Sequence, residues 1–209
     1  MLRWFAIVVL VGAGSISASP APAQELASLD ARSARVVQLP AGGRLTPPSA
    51  ADHGAIVAEF LQGRGLDAAT ASSLRNAGEQ RAPRTGLAHL RMEQEADGLR
   101  VYGTYVKATF SGVGELVHVI ENVAHVSPAG VVRTQIDQAQ ALRAALQELY
   151  PGQAFTPVEA GRAGNTSTFS AGPFFYNDPT VTAVAVPMTD NVLRAGFLVQ
   201  TWSRDANQH

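Results

Sequence analysis

The sequence predicts an α+β fold, with helices packed on an antiparallel sheet made of a three-strand meander plus a C-terminal hairpin. Three observations carry that expectation. Apolar residues recur at helical spacing around residues 56–61 and 142–149. Elsewhere the period falls to two, in short runs parted by turn residues. The order is helices, strands, a helix and strands again, without the regular β-α-β alternation that a parallel sheet requires.

The elements follow in chain order. Ser49 is placed as a helix N-cap, with Asp52 three residues on in the capping-box position. Ile56, Val57, Phe60 and Leu61 then keep helical spacing until Gly63 and Gly65 end the run. A weaker helical segment covers 67–77, with Leu74 its one large apolar side chain. From Gly86 the pattern alternates. Ala88, Leu90 and Met92 share one face, and Leu87, His89, Arg91 and Glu93 the other. Asp97-Gly98 is a strong turn signal. The next strand sets Thr104, Val106, Ala108 and Phe110 against Tyr105, Lys107 and Thr109, and Gly103 near its start marks a place for a bulge. After the turn at "SGVG", Leu116–Val126 reads as the third strand. Thr134, with Asp137 in the capping-box position, opens a helix to Tyr150. Its apolar stripe is Leu142, Ala145, Leu146 and Leu149, and Pro151-Gly152 stops it. A Gly-, Ser- and Thr-rich stretch reads as a loop, and "TVTAVAVP" and "VLRAGFLVQTWS" form a hairpin about "MTDN".

Composition narrows the function classes. The 209 residues are 46% hydrophobic and 16% charged, as suits a packed chain. A formal net charge of −1 offers no electrostatic footprint for nucleic acid or for an acidic membrane. Lys107 is the only lysine among 16 basic residues, which reads as a bias of the source genome. At the N-terminus Arg3 precedes an apolar run from Trp4 to Val11. Ala21 and Ala23 then supply small residues at the −3 and −1 positions before Gln24. Residues 1–23 are therefore expected to be an export signal, the run being about half the ~20 residues needed to span a bilayer. With no cysteine, the exported part has no disulfides and rests on its core and hydrogen bonds. Residues 24–48, including "LPAGGRLTPPS", read as an extended leader.

His118, Glu121 and His125 are the residue types of a zinc peptidase site. Such a site places two histidines one helical turn apart, with the glutamate beside the first. On a strand, side chains at odd separations point to opposite faces, so His118 faces away from both Glu121 and His125. Their geometry refuses a shared metal, and no metal or cofactor is expected. His89 is placed on a neighbouring strand, within cross-strand reach of His118. No thiol, nucleophile elbow, phosphate loop or dinucleotide motif is present, so no enzyme is expected. Two features remain: Phe174, Phe175 and Tyr176 before the Asn177-Asp178-Pro179 turn, and the long final strand ending near Trp202. The aromatics read either as a core plug or as anchors for a partner's pocket. The strand reads either as an interior strand or as an edge that pairs with another domain.

The segment "GLAHLRMEQEADGLRVYGTYVKATFSGVGELVHVIENV" resembles the fungalysin/thermolysin propeptide domain. The family pattern is a strand ending in glutamine or a similar polar residue, a G-x-x-V-aromatic-G turn, a second strand, a short turn and a third strand. Gly98, Val101, Tyr102 and Gly103 fall on it. "TQIDQAQALRAALQELYPG" resembles the PepSY-like half of such propeptides, and "FFYNDPTVTAVAVPMTDNVLRAGFLVQTWSRDANQ" the closing hairpin of the fungalysin branch.

The resemblance covers about 50–209 and implies a cystatin/PepSY-like propeptide architecture. Residues 49–128 would be the propeptide-like helix and meander, and 129–209 the PepSY-like helix and hairpin, cut short at the C-terminus. It implies a secreted pro-domain that inhibits a fungalysin-type zinc metallopeptidase and assists its folding. Zinc would belong only to that catalytic domain, the one partner implied, which this chain lacks. Phe174, Phe175, Tyr176 and Trp202 are the candidate partner-binding residues, with neither nucleic acid nor, after signal removal, a membrane as partner. The alternative is a free-standing extracellular or envelope binding module of the same fold. An open reading frame past codon 209 that reaches an HExxH sequence would favour the pro-domain, and a stop codon the module.

Overall fold

The structure, a computed structural model, describes residues 5–9, 34–39, 43–189 and 191–203, the first five by backbone alone. They fall into two units. One holds the described residues of 27–131 together with 187–193; the other holds those of 1–26, 132–186 and 194–209. Helices and two antiparallel sheets make the class α+β, as expected. The expectation of one shared sheet is corrected: the meander and the C-terminal hairpin lie in different sheets. The first strand, β1 (Phe5–Val9), belongs to the hairpin's sheet.

In the meander unit the sheet order is β2-β7-β6-β4-β3. These are β2 (Arg35–Gln38), β3 (Leu74–Arg81), β4 (Ala88–Ala96), β6 (Tyr105–Phe110) and β7 (Leu116–Asn122). The two-residue β5 (Leu99–Arg100) pairs back onto β4 after the turn at Asp97-Gly98. Both turn residues have positive φ, 50° and 74°, the geometry whose twist matches a tight hairpin. Alternation along β4 is as the sequence predicts: Ala88, Leu90 and Met92 are buried, His89 and Arg91 exposed. On the buried face they meet Val106, Ala108, Phe110, Leu116 and Val119 from β6 and β7. Helix α1 (His53–Gly63) covers that face with Ile56, Val57 and Leu61. Burying each such side chain contributes about 1.5–3 kcal/mol.

Several boundaries differ from those the sequence predicts. Asp52, not Ser49, caps α1, its side chain accepting from the Ala55 amide at 2.9 Å. The second helix, α2 (Ala68–Ser72), is one short turn behind the Asp67 cap, and Leu74 starts strand β3 instead of closing a helix. Only Leu74 of β3 is buried, so no alternation marked it as a strand. The bulge expected at Gly103 falls between Thr109 and Phe110 in the β6–β7 pairing. β7 ends at Asn122, and β2 of the supposed leader pairs along it. Gly114, at φ +78°, has the Ser49 carbonyl oxygen 1.9 Å from where a Cβ would sit, so only glycine fits that turn.

In the second unit the sheet order is β1-β11-β10-β9-β8. Helix α3 (Gln138–Leu149) packs Ala141, Leu142, Ala145 and Leu146 into its core, while Leu149 is only half-buried. The cap is Asp137, not Thr134, and it forms a full capping box with Gln140. The expected loop contains a hairpin, β8 (Glu159–Ala163) and β9 (Thr166–Phe169). Strands β10 (Thr180–Pro187) and β11 (Leu193–Thr201) are the predicted closing hairpin. Phe197 and Val199 of β11 join Phe169, Phe175 and Val181 in this core.

Candidate functional site

The strand register decides the histidine question. His118 pairs with Thr109, and Glu121 pairs with Val106. Glu121 therefore points into the helix-covered face while His118 stands on the opposite one. His125 lies beyond the end of β7, where its Nδ1 is 3.1 Å from Asp67 Oδ2. His89 and His118 are not cross-strand neighbours, which corrects the sequence reading: β6 runs between their strands, and Thr109 between them accepts or donates to His89 Nδ1 at 3.2 Å. Among the described residues no three His, Asp, Glu or Cys side chains gather as metal ligands would.

Glu121 is instead a structural carboxylate. It is 2% exposed, and one oxygen lies 2.6 Å from Arg35 on β2. Its second oxygen has no hydrogen-bond partner among the described residues. The leader's edge strand is thereby tied to β7 by backbone pairing and by one ion pair with a buried end.

Gln94, Gly98, Val101, Tyr102 and Gly103 lie together at the turn that follows β4. Gln94, at the buried end of β4 and wholly enclosed, donates to Ala124 O at 2.9 Å and to Ser73 Oγ at 3.0 Å. Its Oε1 accepts from the Ala124 amide at 2.7 Å. The carboxamide thus pairs with the Ala124 backbone as a strand would. Val101, fully buried, donates its amide to Gln94 O at 2.8 Å and accepts from Thr104 Oγ1. Gly98 and Gly103 bracket it at φ 74° and 73°, with the half-buried Tyr102 between Val101 and Gly103. Asp97 Oδ2 accepts from the Val131 amide at 2.7 Å, closing the chain after β7 onto the same turn. The next segment is also held from α2: Thr70 donates to Asp67 and accepts from the Val126 amide. Hydrogen bonds from Thr70 hold the Asp67 carboxyl below the usual aspartate range against a smaller opposing effect of burial, and the neighbouring His125 adds a lesser lowering.

The four candidate partner-binding aromatics separate into two pairs. Phe174 and Phe175 turn inward and, with Tyr150 and Phe155, form a cluster with ring centres 4.9–6.1 Å apart, Phe174 meeting each of the other three edge-on. Phe175 is 4% exposed and behaves as the core plug. Beside the cluster lies an open cavity of about 430 Å³ lined by Leu142, Leu146, Phe155, Phe169 and Phe174. Tyr176 is 60% exposed and lies against the half-buried Trp202, ring centres 5.5 Å apart, with its amide donating to Trp202 O at 2.7 Å. Sequence reasoning passed over Tyr150 and Phe155, which share no run with the aromatics they contact.

On the open face of the meander sheet, a shallow groove of about 540 Å³ is lined by His89, Arg91, Lys107, Thr109 and His118. No family model matches the chain, and no curated protein is similar to it.

Proposed function

We propose that the exported part of this chain is the pro-domain of a fungalysin-type zinc metallopeptidase, a cystatin/PepSY-like binding module without chemistry of its own. It would be secreted, cover the peptidase's cleft and assist its folding. The observation that carries the reading is the turn after β4. The sequence pattern that prompted the resemblance, a strand ending in a polar residue and then G-x-x-V-aromatic-G, belongs to a single packed device built from Gln94, Gly98, Val101 and Gly103. The helix-on-sheet arrangement of the meander unit and the α3-plus-hairpin arrangement of the other are in keeping with it. The exposed Tyr176, backed by the half-buried Trp202, is the aromatic suited to a partner's pocket.

The test mixes residues 24–209 with a fungalysin-type catalytic domain. Slower peptide hydrolysis and a higher refolding yield are expected, with inhibition weakened by Tyr176→Ala. Undiminished hydrolysis together with an unchanged yield overturns the proposal.

A further inference from the structure

The outer edge of β11 is filled from two directions. At its start Val132 forms a parallel bridge with Arg194, and the Ala195 amide donates to Val132 O at 2.8 Å. Over the rest, β1 runs antiparallel, pairing Val9 with Phe197, Ile7 with Val199 and Phe5 with Thr201. Strand β10 takes the other edge of β11. In an antiparallel ladder the N–H and C=O of one residue face the same neighbour, and the side alternates along the strand. Since Ala195 bonds Val132, the backbone groups of Phe197, Val199 and Thr201 face the β1 edge. Those of Leu198 and Gln200 face β10.

The strand on that edge is drawn from the apolar run read as the core of the export signal. Its removal would leave the edge groups of Phe197, Val199 and Thr201 open on a strand whose side chains at 197 and 199 are already fixed in the core. Such an edge is a ready template for an added strand. We infer that β11 is a strand-accepting edge: Phe5–Val9 holds it in the precursor, and an extended apolar segment of a partner protein takes it in the processed chain. The commitment to an apolar, extended, antiparallel occupant comes from the occupant the structure already seats there. The inference rests on residues 1–23 being removed, and it needs no peptidase, so it stands or falls separately from the inhibition assay above.

The experiment compares amide exchange in the full chain and in the processed chain starting at Gln24. Phe197, Val199 and Thr201 are expected to exchange at least about tenfold faster after processing, while Leu198 and Gln200 keep their protection. A synthetic peptide of residues 4–11 should restore protection at the three odd positions, and the same peptide carrying Ile7→Pro should not. Equal rates in the two forms overturn the inference, as does a peptide without effect. Loss of protection at odd and even positions alike overturns it too, since β1 would then be needed for the fold itself. Protection of the processed chain that rises with its own concentration assigns the edge to a second copy and likewise overturns it.

Discussion

Gln94 shows how a polar side chain can be worth more to this fold than a neighbouring apolar one. It satisfies both backbone groups of Ala124 and the Ser73 hydroxyl in a region closed to water. Gln94→Ala strands the two Ala124 backbone groups, at about 1–3 kcal/mol for each left unpaired, while Ser73 Oγ keeps its bond to Thr70 O. A loss of at least about 2 kcal/mol is expected from the urea midpoint, larger than for Met92→Leu on the same strand. Asp67 gives the corresponding expectation for pH. Its folded-state pKa is lowered, so the folded chain binds fewer protons there than the unfolded one. The stabilisation is complete above the unfolded value of about 3.9 and is lost as the pH falls through the lower folded value. Asp67→Asn keeps a capping oxygen and should flatten that part of the acid limb below about pH 4, seen as a smaller change in thermal midpoint.

At the scale of the element, strands divide by how they are held. β4, β6 and β7 carry an apolar face, whereas β2 is an exposed edge held by its pairing to β7 and by the Arg35–Glu121 contact. Arg35→Ala leaves the Glu121 carboxylate without its cation. Since Arg35 is two-thirds exposed, the expected cost is modest, about 1 kcal/mol, with faster amide exchange in Arg35–Gln38. Adding Glu121→Gln should recover part of it. A double variant no better than the single would show that the pair does not hold the strand. The helix caps carry a related lesson. At both α1 and α3 a Ser or Thr stands three residues before an aspartate, and in both the aspartate is the cap. Ser and Asp cap about equally well, so the sequence alone left a three-residue ambiguity. Gln140, reaching back to the Asp137 amide at 2.9 Å, settles it for α3.

For the molecule as a whole, stability comes from two separate apolar cores without covalent help. The chain has no cysteine, and its described residues hold no cluster of metal ligands. The thermal midpoint of residues 24–209 is therefore expected to be the same in buffer, in dithiothreitol and in EDTA. A drop in EDTA would point to a bound cation and reopen the question raised by His118 and His89.

The sequence by itself determined the α+β class, the alternation of β4 and β6, the apolar stripe of α3, the Asp97-Gly98 turn and the separation of His118 from Glu121. Each is written in a local period, because one face of the element is buried and the other is not. Only the tertiary structure decided that β2, β3, β8 and β9 are strands, that the sheets are two, and that Tyr150 and Phe155 join Phe174 and Phe175. β3 has a single buried residue and β8 has none, so neither carries a hydrophobic pattern. Their shape comes from hydrogen bonds to a neighbouring strand, and such pairing leaves no mark on the sequence of an exposed edge.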